Sequence, residues 1–214
     1  MDVMELAMSA TQFVPSNTTL HGLRAAVQSC QGCELYRRAT QAVFGQGQTT
    51  AEIMLVGEQP GDEEDMTGEP FVGPAGRWLH KALDEAGIPR ANVYLTNVVK
   101  HFKWEERGVR RLHKKPSARE IKACEPWLRA EISVIEARVI VCLGASAAQT
   151  LLGSKFRITA SRGAAMDLAG GRTAIATWHP AAVLRAPDAK RRATMHGELV
   201  ADLRQALAIS QNES

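Results

Sequence analysis

The run Glu52-Ile53-Met54-Leu55-Val56 stops at Gly57 and passes into Gly57-Glu58-Gln59-Pro60-Gly61, then into Pro70-Phe71-Val72-Gly73-Pro74-Ala75-Gly76. A short apolar run that ends at glycine reads as a buried strand feeding a loop. After Pro74, Ala75, Trp78, Leu79, Ala82, Leu83 and Ala86 recur at helical spacing, and Gly87 stands where a helix would stop. The same alternation continues along the chain. Residues 93–99 read as a strand followed by a basic segment. Residues 117–136 read as a helix, with Ser117 and Glu120 in a capping-box pattern. Residues 138–143 form a third strand, turning at Gly144 into a helix over 145–152. Residues 173–177 form a fourth strand, ending in Trp178-His179-Pro180, and a helix over about 188–209 closes the chain. Strands alternating with helices need crossover connections, so the expected fold is α/β: a single-domain, three-layer α/β/α arrangement around a central, mainly parallel four-stranded sheet. Ligands in such folds sit beyond the carboxyl ends of the strands. The loops after Gly57, after Asn97 and after Trp178 then share one rim.

The 214 residues are enough for one well-buried core. One domain is expected over 19–214, opening with a short helix over 19–30 and preceded by a loosely ordered tail over 1–18. With 45% apolar and 23% charged residues, the chain has the composition of a soluble globular protein. No apolar run approaches the roughly 20 residues that cross a bilayer, and the first residues carry acids where a signal peptide would carry bases. A cytoplasmic monomer without a membrane partner is expected. Four irregularly spaced cysteines suit metal binding or simple burial better than a disulfide framework. The net charge of +3 is unevenly spread: from Lys100 to Lys115 seven Lys or Arg face two Glu, leaving the remainder slightly acidic. This segment, an inserted basic loop over 101–116, is suited to phosphates; the plainer alternative is a solvated loop.

Cys30-Gln31-Gly32-Cys33 by itself suits a redox pair, a zinc knuckle or half of a cluster site. Cys124 falls on a predicted helix, and Cys142, inside Val139-Ile140-Val141-Cys142-Leu143-Gly144, reads as core.

Taken together, Gly57-Glu58-Gln59-Pro60-Gly61, the Pro70 to Gly76 stretch, Thr96-Asn97-Val98-Val99-Lys100 and His179-Pro180 resemble the family 4 uracil-DNA glycosylases, over nearly the whole chain from Cys30 onward. Arg110-Arg111-Leu112-His113 resembles the UdgX branch, whose usual pattern is Lys-Arg-Arg-Ile-His; Val109 stands in the place of that Lys. Family 4 carries a cluster-binding Cys after its Thr-Asn-x-x-Lys motif, and here that place holds His101, as in UdgX-like chains. The resemblance therefore implies a 4Fe-4S cluster held by Cys30, Cys33, His101 and Cys124. Imidazole is a known replacement for thiolate in such sites. Its role would be structural, tying the C-x-x-C to the basic loop and the Cys124 helix.

The same resemblance implies excision of uracil from single-stranded or duplex DNA, with free uracil as product. A stacked base must be flipped out to be reached. Asn97 offers the donor and acceptor that uracil's edge requires, and Phe71 offers a stacking face. Cleavage leaves positive charge on the sugar and negative charge on the departing base. His179 is expected to donate to the uracil oxygen, helped by backbone N–H groups from Gly57 to Gly61. Glu58, Gln59 and Asp62 are the further catalytic candidates, the acids to support the cation or activate a nucleophile; Glu63 and Glu64 read as solvated surface. From the UdgX likeness, His113 is expected to attack C1′ and remain bound to the abasic site, with Glu58 as a candidate to take the ring's proton. Arg110, Arg111, Lys114 and Lys115 would hold phosphates. Leu184 would wedge into the gap and Arg185 would meet phosphate, unless the stretch is an ordinary loop-to-helix turn. Two alternatives stand beside this: an ordinary turnover glycosylase in which His113 only meets phosphate, and a non-catalytic iron-sulfur DNA-binding or redox module.

Overall fold

The computed structural model describes residues 8–16 and 19–211. Its elements in chain order are α1 (Leu20–Val27), β1 (Ile53–Gly57), α2 (Asp62–Thr67), α3 (Pro74–Ala86), β2 (Val93–Asn97), β3 (Trp104–Arg107), β4 (Arg110–His113), α4 (Ala118–Val134), β5 (Val139–Leu143), α5 (Ala145–Leu152), α6 (Ile158–Ser161), β6 (Ala165–Leu168), β7 (Arg172–Thr177), α7 (Pro180–Leu184) and α8 (Ala189–Gln211). The central sheet runs β2-β1-β5-β7-β6. Its first four strands are parallel, as expected, and β6 adds a fifth, antiparallel to β7, that the sequence reading missed.

Alternate residues of the sheet feed two cores. Met54, Val56, Tyr94, Ile140 and Cys142 pack with α1, α4 and α5. Ile53, Leu55, Leu95, Val141 and Ile175 pack with α3, α7 and α8 on the other face. Strands buried on both faces explain the unbroken apolar runs in the sequence. Cys142 is wholly buried in this core, where burial pushes its thiol up to about 12.

Three elements differ from the sequence reading. The strand expected over 93–99 ends at Asn97, because Val98 and Val99 turn their N–H groups onto the carbonyls of Gly57 and Glu58. Within the basic insertion, β3 and β4 form a two-residue hairpin turned by Gly108 at φ 60°, a conformation glycine adopts freely. Ala10, inside the stretch read as a loose tail, is buried and donates its N–H to the carbonyl of Ala123; positions 1–7, 17 and 18 of that stretch lie outside the described residues. No helix among the described residues is long and apolar enough to cross a membrane.

Candidate active site

Gly57 and Asn97 face each other in register at the ends of β1 and β2, as Leu143 and Thr177 do at the ends of β5 and β7. Beyond these ends opens a cavity of about 470 Å³ whose wall includes Glu58, Gln59, Phe71, Asn97, His113 and His179. The topology thus brings three separated loops to one rim.

Close packing fixes the floor. A Cβ on Gly57 would stand 2.3 Å from Asn97 Oδ1 and 2.7 Å from Phe71 Cζ. Glycine is required there for Asn97 and Phe71 to meet. The Asn97 side-chain amide is almost wholly buried and makes no hydrogen bond among the described residues, so its donor and acceptor both remain for a ligand. Behind it, Lys100 Nζ donates to the Asn97 carbonyl at 2.7 Å and to Thr96 Oγ1 at 2.7 Å, and forms a fully buried ion pair with Glu131. Lys100 therefore belongs to the core and not to the basic surface.

Phe71 holds φ at 59°, rare for a bulky residue and worth on the order of 1–3 kcal/mol of strain. Its surroundings impose the conformation. A Cβ on Gly76 would fall 1.9 Å from the Phe71 carbonyl oxygen, so only glycine lets α3 approach. Glu64 accepts from the N–H of Gly61 at 3.0 Å and of Gly73 at 2.9 Å, clamping the loop after β1 to the loop that carries Phe71. Glu64 is buried, which corrects its reading as solvated surface. The available signal was its place three residues after Gly61, at the third position of α2, where a carboxylate reaches back to the N-cap N–H.

His179 lies at the bottom of the rim. Its Nδ1 accepts the Ala181 N–H at 3.1 Å, so the neutral ring carries its proton on Nε2 and presents a donor. Burial, reinforced by the charge of Arg185, pushes its pKa down to about 4. The ring centroid is 6.5 Å from that of Phe71.

His113 ends β4 at the mouth. Gln59 governs it: Gln59 Oε1 accepts from the Lys103 N–H at 3.1 Å, which points its NH₂ group at the Lys103 carbonyl (3.2 Å), the Lys114 carbonyl (3.0 Å) and His113 Nε2 (2.9 Å). An amide NH₂ only donates, so His113 Nε2 presents its lone pair and the neutral ring carries its proton on Nδ1. Burial lowers the His113 pKa; Glu58, whose Oε1 is 3.8 Å from Nε2, opposes that and Arg185 adds to it. Glu58 in turn accepts from Ser146 Oγ, a partner that no motif in the sequence marks out.

The DNA-binding candidates divide. Arg111 pairs with Asp62 and Asp65, both at 2.6 Å, and stacks over Phe102 and Trp104. It anchors the hairpin to α2, and Asp62 is engaged by it. Lys114 pairs with Glu105. Arg110 is exposed on the hairpin, Val109 stands fully exposed at its tip, and Lys115 and Arg185 reach the cavity wall. Leu184, the last residue of α7, lies outside that wall.

Cys30, Cys33 and Cys124 are buried in one core cluster, close enough for each of Cys30 and Cys33 to disfavour charge on Cys124. Trp127 Nε1 donates to Cys30 Sγ at 3.2 Å and the Lys100 N–H to Cys124 Sγ at 3.3 Å. Burial raises the Cys33 thiol and pushes that of Cys124 up to about 12. His101 is buried and held neutral, its pKa lowered to about 4 by burial, with Asp65 the charged group acting on it. Among the described residues, no three His, Cys, Asp or Glu side chains form a group able to hold a metal ion.

The model of the uracil DNA glycosylase superfamily matches residues 44–204. A type-4 uracil-DNA glycosylase of Thermotoga maritima is 42% identical over 160 residues, covering 74% of this chain and 80% of that protein. One from Pyrobaculum aerophilum is 36% identical over 194 residues, covering 86% and 91%, and one from Archaeoglobus fulgidus is 39% identical over 168 residues, covering 75% and 81%. The match spans the strands and loops that build the cavity, and the chain belongs to the uracil-DNA glycosylase superfamily.

Proposed function

We propose that the chain releases uracil from DNA and that His113 then captures C1′ of the abasic sugar, ending as a covalent DNA–protein complex of the UdgX type. Uracil release rests on the superfamily match and on the relatives named type-4 uracil-DNA glycosylase. Capture rests chiefly on one observation: His113 stands at the cavity mouth with its Nε2 2.9 Å from the Gln59 NH₂ group, a donor that orients the ring so that Nε2 presents its lone pair.

Uracil enters against Phe71 and pairs its edge with the Asn97 amide. The C1′–N1 bond breaks with its electron pair leaving on uracil, whose oxygen receives the His179 Nε2–H bond. The sugar cation forms near Glu58, and His113 Nε2 closes a C–N bond to C1′. Releasing His113 from Gln59 costs little, because the two hydrogens of the amide retain two backbone carbonyls. The alkylated ring then loses its Nδ1 proton to water. Glu58 lies beside Nε2, so its part is to support positive charge, a change from the proton-acceptor role expected from sequence. Free uracil leaves, and DNA is the one macromolecular partner in this reading.

The 4Fe-4S cluster belongs to the same proposal. Cys30, Cys33 and Cys124 fit it: three buried thiols share one core cluster, and two of them already receive the N–H donors that thiolate ligands take. A cluster also spaces its ligands more widely than a single ion does. His101 would be the fourth ligand. When bound, the group supplies structural cross-linking and no electron to the reaction. Iron and acid-labile sulfide content of the purified chain checks this, with about four of each expected per chain.

The relatives' names equally support ordinary turnover, with His113 meeting phosphate only. Stoichiometry separates the two: one uracil released per chain supports capture, many support turnover. His113→Ser is expected to release uracil while forming no adduct stable to denaturing electrophoresis.

A further inference from the structure

Beside the candidate active site lies a second cavity of about 370 Å³, between the start of α4 and the outer face of α5, bounded by Lys115, Ile121, Lys122, Ser146, Thr150 and Ser154 among others. Lys115 and Ser146 line both cavities and form their common wall. The electrostatics of this second space differ from those of the hairpin. Lys103, Arg111 and Lys114 are each neutralised by a carboxylate. Lys115 and Lys122 have no carboxylate partner among the described residues. Glu125, the acid on this wall, is engaged by Arg129.

We propose that this cavity seats the nucleotide adjacent to the excised uracil on the same strand. Its phosphate would lie between Lys115 and Lys122, and its base against Ile121 and the polar side chains of α5. The volume falls within the roughly 300–1,000 Å³ of small-molecule sites. Two unpaired ammonium groups are point charges suited to a phosphate, and continuity with the first cavity through Lys115 gives one strand a path from one to the other. The inference rests on the proposed reading of the first cavity as the uracil site.

The test uses single-stranded oligonucleotides with uracil at the centre, at the 5′ end and at the 3′ end, and reads uracil release under single-turnover conditions against protein concentration. Lys122→Ala is expected to raise the half-saturating concentration for the central-uracil oligonucleotide roughly 3-fold and to make the log–log salt slope shallower by about 0.7, the share of one phosphate contact. The saturating rate stays unchanged. On the oligonucleotide lacking the nucleotide that the cavity would hold, Lys122→Ala and wild type are expected to coincide. Ser154→Trp, which fills the space without altering charge, is expected to weaken the same substrates with an unchanged salt slope. The proposal is overturned if both variants match wild type on every oligonucleotide, or weaken all three equally. Should wild type release no uracil from any of them, the reading of the first cavity fails instead. Fluorescence anisotropy with the same oligonucleotides and variants then decides the subsite by the same end-specific pattern.

Discussion

Glu64 is the residue whose replacement tests the architecture of the site most sharply. Its two carboxyl oxygens accept the N–H groups of Gly61 and Gly73, and the group is buried. Glu64→Gln keeps the shape but retains one acceptor, turning an NH₂ toward a backbone N–H. Hydrogen bonds to a charged group contribute about 1.5–3 kcal/mol, and orphaning a buried N–H costs about 1–3 kcal/mol. A net loss of about 2–3 kcal/mol is expected, lowering Tm by roughly 4–12 °C at about 2–4 °C per kcal/mol for a chain of this size. Phe71 stands two residues before Gly73 in a strained conformation, so the same change loosens the stacking face. Stacking contributes about 1–3 kcal/mol, so the single-turnover rate of uracil release is expected to fall roughly 5- to 150-fold. Thermal unfolding and single-turnover release measure the two effects. A Tm within about 1 °C of wild type with unchanged release would refute the assignment of Glu64 as the clamp between the loops.

Further outcomes follow from the same geometry. Gly57→Ala would place a methyl 2.3 Å from Asn97 Oδ1, so uracil release is expected to fall roughly 100-fold, as measured by single-turnover kinetics. Adduct formation by His113 requires its neutral ring, and burial lowers its pKa from the ordinary 6.5; the rate of cross-linking is therefore expected to hold near neutrality and to fall in acid with a midpoint below 6.5. His179, at about 4, stays neutral through the upper part of that window, so the loss there reports on His113.

The parallel strands were legible because burial on both faces leaves an unmistakable apolar run, as in Val139–Leu143. The helix Pro74–Ala86 was legible from its one-sided spacing, with Pro at its start and Gly87 in the left-handed conformation at its end. Ala165–Leu168 was missed because this edge strand alternates partly buried and exposed residues over only four positions. Gly170 and Gly171, both at positive φ, were the turn signal that could have revealed it. Charge counting placed Lys100 and Arg111 on a phosphate-facing surface, yet long-range partners decide such matters: Glu131 lies 31 positions away from Lys100, and Asp65 lies 46 from Arg111. Phe71, Asn97 and His179, on the cavity wall, stood in recognisable motifs. Glu64 and Ser146, which border the same cavity, act through contacts that only the folded chain creates.

The most direct measurement is to mix the intact protein with an oligonucleotide containing one uracil, denature the mixture, and determine the mass of the protein and of its cross-linked peptide. The expected product is a species equal to protein plus abasic DNA, with the added mass mapped to His113 and one uracil freed per chain. Unmodified protein together with many free uracils per chain would contradict capture, and unmodified protein with no uracil released would contradict the glycosylase reading itself.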